Sequence, residues 1–174
     1  MHGRPFEAYL LDISMFKPRL LVLRLSLAKK YDPNSDTFSN DHFNETNTTF
    51  SSESWREVSE QLLQTFSPRQ VSNLKQLLTA WRSNFTLKEL EQRANEANYH
   101  DPGVIDGFRS QSDIKLMLRA LYETGAIGNR FTIVNNGKKS SRDRWSFRDY
   151  DEPAFDKRFY LHESLRKFFQ VAYD

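Results

Sequence analysis

Basic side chains are concentrated in two stretches of the second half of the chain. Residues 138–148 contain five lysines and arginines but a single acid, Asp143. The other stretch is a predicted helix over residues 113–124, which carries Lys115 and Arg119 away from its apolar side. Such side chains neutralise phosphates and can reach base edges in double-stranded DNA. The candidate nucleic-acid-binding residues are therefore Lys115, Arg119, Lys138, Lys139, Arg142 and Arg144.

The same basic residues also fit a protein-binding surface or a solvated hairpin tip. Residues 32–60 carry seven acids and only one base, Arg56, so the hairpin could pair with that acidic stretch. The net charge of +2 is too small to indicate nucleic acid by itself. Double-stranded DNA and a protein partner therefore remain alternatives for this surface.

A group of acids near residue 150 suggests a third chemistry. Asp149, Asp151 and Glu152, followed by Lys157, have a spacing loosely similar to that of metal-dependent nucleases, which bring carboxylates together on Mg²⁺. Pro153 follows directly and favours the end of a strand with solvated charges. A Mg²⁺-dependent nuclease is therefore the lowest-ranked of the alternatives.

The sequence predicts no catalytic group, metal or cofactor. None of the four histidines lies three or four residues from another, and the absence of cysteine excludes a thiol nucleophile and a cysteine zinc site. His162 is interpreted as packed at a junction between strand and helix. The pair Gly137-Lys138 is followed by Lys139, and Thr132 stands where a P-loop needs its first glycine. We therefore predict a non-enzymatic chain without its own nucleotide site.

The elements that would position these residues follow from periodicity and caps, with N-caps predicted at Ser67 and Ser112 and a capping box of Thr86 with Glu89. Apolar spacing predicts helices over 53–66, 69–82, 86–97 and 113–124, after two N-terminal helices and a polar loop. Strands are predicted over 130–134, 144–150 and 158–161, with a turn over 135–143 and a final helix from 162 to 169. The fold class is thus mainly α with a small β-hairpin or sheet. We assign residues 1–50 to an N-terminal helical segment with a polar loop and residues 51–174 to a domain similar to a winged helix-turn-helix.

The helix over 113–124 would occupy the recognition position of that winged module. The loop over 98–111 is longer than the usual turn before a recognition helix, which could displace the helix from a DNA-reading pose. No apolar run is long enough to span a membrane, since Arg24 interrupts the longest one. We expect a cytoplasmic protein with no membrane partner.

Three segments resemble the C-terminal region of bacterial STAND-like P-loop ATPases, which occur in mobile-element and antiphage contexts. They are the helix end at 118–128, the aromatic-arginine segment at 145–148 and the helix start at 159–165. Near the N-terminus, residues 15–19 are similar to the element that opens a lid helix in those ATPases. Lys17 and Leu20 stand where that pattern has arginine and aspartate. The resemblance implies a nucleotide-sensing role for Arg19, although these two departures weaken that inference.

Taken with the absence of an ATPase core, the resemblance implies an accessory region. The leading hypothesis is a non-catalytic regulatory part of a P-loop ATPase, whose winged-helix module docks on the ATPase core or another protein and can contact DNA. The alternatives are a free-standing winged-helix DNA-binding regulator and, last, the nuclease.

Overall fold

A computed structural model describes residues 5–100, 108, 110–135, 137–149 and 151–171, without the side chains of residues 98, 100, 135 and 138. The described chain is mainly helical, as the sequence predicts. In chain order the helices are α1 (Phe6–Ile13), α2 (Pro18–Tyr31), α3 (Asn40–Glu45), α4 (Asn47–Leu62), α5 (Pro68–Leu78), α6 (Leu87–His100), α7 (Gln111–Glu123), α8 (Ser146–Asp149) and α9 (Glu163–Phe169).

Four short strands form one antiparallel sheet. They are β1 (Asn84–Phe85), β2 (Ile127–Asn135), β3 (Lys138–Arg144) and β4 (Phe159–Leu161), arranged in the order β1-β4-β2-β3. The strands β2 and β3 form a hairpin whose second strand lies before the predicted one, and the distant β4 pairs with β2 from Ile127 to Asn129. The basic strand β3 therefore lies at the edge of the sheet.

Local capping chemistry explains where several helices begin. Ser67 caps α5 by accepting the Gln70 N–H, with Pro68 in the first turn, where its missing donor costs little. Thr86 and Glu89 form the predicted reciprocal box at the start of α6. The predicted cap of α7 at Ser112 is wrong. Ser110 caps this helix, because its hydroxyl can exchange hydrogen bonds with Asp113.

The predicted strand over 144–150 and turn over 135–143 are wrong for the described residues, and residues 136 and 150 lie outside them. Most of that turn is strand β3, and Gly137, which directly precedes it, has a φ of +75°. Residues 146–149 form helix α8, because the Asp149 carboxylate accepts the Trp145 N–H and the Ser146 hydroxyl donates to the Tyr122 carbonyl. Trp145 and Phe147 still share a side, with ring centroids 5.8 Å apart.

Several other element boundaries differ from the prediction, and the largest differences are at α4 and α5. Helix α4 begins at Asn47 rather than Glu53, because Phe50 is fully buried and anchors the polar segment before it to the core. Helix α5 ends at Leu78 rather than Arg82, where Ala80 has a φ of +50° and donates its N–H to the Phe169 carbonyl. The loop predicted over 98–111 lies mostly outside the described residues, although α6 continues through its first three positions.

One large core holds most of the described chain together. Its buried side chains come from α1 and α2 as well as from every later helix except α3 and α8. A second, smaller cluster consists of Leu10 from α1, Ala28 from α2 and Phe43 from α3. None of the described helices has the length and apolar content needed to cross a membrane.

Candidate functional site

The arginines of the basic hairpin lie in ion pairs with acids of the same region. Arg130 binds both carboxylate oxygens of Asp143, at 2.6 and 3.0 Å. Arg142 binds Asp149 at 2.8 Å, and Arg144 binds Asp151 at 2.7 Å. The acids come from the strand itself and from the segment that follows it, rather than from the acidic residues 32–60. The positive charge of the candidate surface is therefore partly neutralised by acids of the same region.

Asp149 is the central acid of this network. Its side chain is 7% exposed, so the sequence-based interpretation of a solvated charge is wrong for this residue. Burial opposes ionisation, but the Trp145 N–H and the guanidinium groups of Arg148 and Arg142 outweigh it and lower the pKa of Asp149. An ionised Asp149 therefore holds Arg142 against the start of α8.

The other candidate basic residues have different surroundings. Arg119 pairs with Glu152 at 3.3 Å on an exposed surface, and the Lys115 ammonium lies 5.8 Å from the Phe155 ring centre. Lys139 is exposed, and within the described chain no acid pairs with it. The side chain of Lys138 lies outside the described residues. The candidates on α7 and the hairpin thus do not form one continuous set of free cations.

Arg19, the implied nucleotide-sensing residue, joins two helices. Its guanidinium contacts Glu57 at 3.1 Å and Glu60 at 3.7 Å, both on α4. The ammonium nitrogen of its neighbour Lys17 is buried and has no hydrogen-bond partner within the described chain. Burial lowers the pKa of Lys17, and the carboxylate of Glu57 opposes that shift.

The segments quoted for the family resemblance meet at one packed junction. Phe16 stacks on Phe147 at 5.4 Å, and Trp145 meets the edge of His162 at 4.9 Å. A side chain at Gly125 would collide with the Phe147 ring at 2.7 Å. A Cβ on Gly128 would lie 2.7 Å from the Trp145 ring and 2.6 Å from the Arg144 carbonyl oxygen. Close packing therefore explains the types of these residues.

His162 is buried at this junction, as the sequence indicates. Its Nδ1 accepts from the Ser164 backbone N–H at 3.3 Å and lies 2.8 Å from the Ser164 hydroxyl, which makes His162 the cap of α9. Burial first and the Arg166 charge second lower the pKa of His162 to about 3, against a hydrogen bond with the Asp12 backbone. A neutral, buried cap of this kind has a structural role.

The acids considered for a nuclease are held in separate ion pairs. Asp149 and Asp151 bind Arg142 and Arg144, while Lys157 pairs with Asp156 at 2.7 Å. Within the described ranges, no group of three or more histidines and acids is placed to hold a metal ion.

Arg24 is the residue whose position the sequence interpretation missed. The sequence indicates a charge that interrupts an apolar run, but Arg24 is 2% exposed. It lies four residues from both Leu20 and Ala28, which are buried on the same stripe of α2. That spacing was the available signal for its burial.

No protein-family model, curated protein or solved structure matches this chain. The interpretation of its function consequently depends on the residues and their geometry.

Proposed function

We propose that this chain is a non-catalytic accessory region of a P-loop ATPase, in which a winged-helix-like module docks on a partner protein and transmits a signal. We favour a protein partner over DNA because Arg142 and Arg144 are already paired with Asp149 and Asp151. Phosphate contacts would have to displace these acids, whereas docking can use a surface of mixed charge. The parent ATPase and its cytoplasmic location belong to the same proposal.

A gel-shift titration with double-stranded DNA at low salt separates docking from DNA binding. We expect no retardation of the DNA by the wild-type chain. The informative variant is Lys138→Glu with Lys139→Glu, because Lys139 is exposed and its replacement breaks no ion pair within the described chain. Substitution of Arg142 would also release Asp149 and so confuse binding with folding.

The free-standing DNA-binding regulator is the second candidate function. The exposed Lys139 near the turn of the hairpin favours it, since a mobile wing can bring such a cation to phosphate. A salt-sensitive shift that the double lysine variant abolishes would support this candidate over docking alone.

The DNA sequence upstream of Met1 tests whether this chain belongs to a P-loop ATPase. We expect it to encode a Gly-x-x-x-x-Gly-Lys-Ser/Thr motif. In that longer protein, removal of this chain should change the rate of ATP hydrolysis several-fold, with a P-loop lysine variant as the inactive control. An upstream frame without the motif, or an unchanged rate, would contradict the proposal.

A further inference from the structure

The guanidinium of Arg24 is buried, and no acid among the described residues pairs with it. It lies in the middle of α2, with its central carbon 4.6 Å from the Phe50 ring centre and 5.2 Å from that of Phe43. Nη2 donates to the Tyr9 hydroxyl at 3.3 Å. Nε and Nη1 have no hydrogen-bond partner within the described chain, and no described carboxylate lies within ion-pair distance.

Such a position is unfavourable for a charged group. Removal of a guanidinium from water is costly unless carboxylates or other acceptors replace the lost hydration. Two aromatic faces offset part of this cost through cation–π attraction, and one hydroxyl satisfies one nitrogen. The two remaining nitrogens would gain hydrogen bonds from water as soon as the residue is uncovered.

Two short helices cover Arg24. Helix α1 contributes Tyr9 and α3 contributes Phe43, and we call these two helices the α1/α3 cover. The cover is held on α2 by the small cluster of Leu10, Ala28 and Phe43. Phe38, which also packs on Phe43, is 42% exposed. Phe6, Tyr9, Leu21 and Leu25 pack against this cluster, which has far fewer buried residues than the main core. Local separation of the cover from α2 therefore uncovers less apolar surface than loss of the main core would.

The connection between α1 and α2 is a strained turn. Met15 and Phe16 have φ values of 52° and 55°, a left-handed conformation that disfavours residues with a side chain. Ile13 and Met15 are buried in the main core, so the C-terminal end of α1 is fixed. The opposite end carries Phe6 and Tyr9, whose rings pack on Phe43 of the small cluster, and it is the end that would lift.

We propose that the α1/α3 cover is a conformational device that opens locally, and that the unmatched charge of Arg24 biases it toward opening. In the closed state Arg24 lies between aromatic rings, and in the open state it is hydrated and available to an acceptor. The device does not depend on the proposed ATPase parent, because every contact in it belongs to this chain.

Amide hydrogen exchange followed by mass spectrometry tests the device on the whole chain. Arg24→Met keeps a long, flexible apolar side chain and removes the charge, so exchange in α1 and α3 should slow on the order of tenfold. Exchange in α9 should not change. Tyr9→Phe removes the only acceptor that Arg24 has within the described chain and should accelerate exchange in α1 and α3.

Arg19→Met is the matched control, because it makes the same substitution on an exposed residue of the same helix. It should leave exchange in α1 and α3 unchanged. Unaltered or faster exchange of the cover in Arg24→Met would overturn the proposal. Failure of Arg24→Met to fold, judged by circular dichroism, would also overturn it, since the charge would then stabilise the closed state.

Discussion

At the scale of single residues, His162 makes the stability of the fold depend on pH. Its pKa is about 3 in the folded chain, against 6.5 for an unperturbed histidine. A lowered pKa means that the unfolded state binds the proton first, so the contribution of His162 to stability is complete above pH 6.5. It is lost as the pH falls from 6.5 toward 3.

We therefore expect the free energy of unfolding to fall by up to about 1.4 kcal/mol per pH unit below pH 6.5 because of this residue alone. His162→Asn retains an oxygen that can cap the Ser164 N–H but does not titrate. The free energy of unfolding of this variant should therefore depend less on pH between pH 6.5 and pH 5. Urea unfolding of both proteins at several pH values measures the difference. Equal slopes would show that His162 is not buried as a neutral group.

Substitutions of two glycines distinguish the loss of stability caused by backbone strain from the loss caused by close packing. Gly137 has a φ of +75° but open space around its Cα, whereas at Gly128 a new Cβ would lie 2.6 Å from the Arg144 carbonyl oxygen. Gly137→Ala should destabilise the chain by about 1–2 kcal/mol through strain alone. Gly128→Ala should cost about 1–3 kcal/mol or more, since carbonyl and ring must both move. Comparable thermal stability of Gly128→Ala and wild type would contradict this packing.

At the scale of elements, the contacts of the Asp149 carboxylate explain why residues 146–149 form a helix. Its carboxylate accepts from the Trp145 N–H at 3.0 Å and binds Arg142, so it fixes the start of α8 against β3. Period-2 alternation of apolar residues predicted a strand there. The local capping bond and the contact of Ser146 with α7 override that pattern.

Asp149→Asn should destabilise the chain by about 1–3 kcal/mol, because it removes the charge that two arginines and one N–H share. Asp151→Asn is the matched control, since Asp151 makes one half-exposed ion pair with Arg144 and should cost less than about 1 kcal/mol. Chemical denaturation of the two variants checks the order. A larger loss from Asp151→Asn would show that Arg144, not Asp149, anchors the hairpin.

The sequence predicts those elements whose signals are local. Ser67-Pro68 and the pair Thr86 and Glu89 are caps that act within one helical turn, so α5 and α6 begin close to the predicted positions. Strand β3 is polar throughout, residues 139–142 are exposed on both sides of it, and no apolar alternation marks it. Its partner is found only through pairing with β2.

The same distinction applies to the candidate site. Basic residues can be counted from the sequence, but their ion pairs join positions seven apart across a turn, such as Arg142 with Asp149. A side chain's burial also depends on distant elements, as the cover of Arg24 by α1 and α3 illustrates. Neither property follows from a local pattern.

At the scale of the whole molecule, the main core crosses the domain boundary predicted at residue 50. Met15 and Leu20 belong to the same buried cluster as Phe169, and Phe50 at the boundary is fully buried. Ser51 on α4 accepts the Phe168 N–H at 2.8 Å, which ties the C-terminal helix to a position beside that boundary. The N-terminal helices are therefore part of the packing of the later elements.

Residues 51–174 alone should consequently lose a cooperative thermal transition, because removal of residues 1–50 uncovers a large apolar area that includes the surface under Met15 and Leu20. The matched control shortens the hairpin by deleting residues 133, 134, 139 and 140 in register, which removes cross-strand pairs outside the main core. That variant should keep a single transition near the wild-type temperature. Circular dichroism at 222 nm during heating measures both. A sharp transition in the 51–174 fragment would instead show that the predicted boundary separates an independently folding domain.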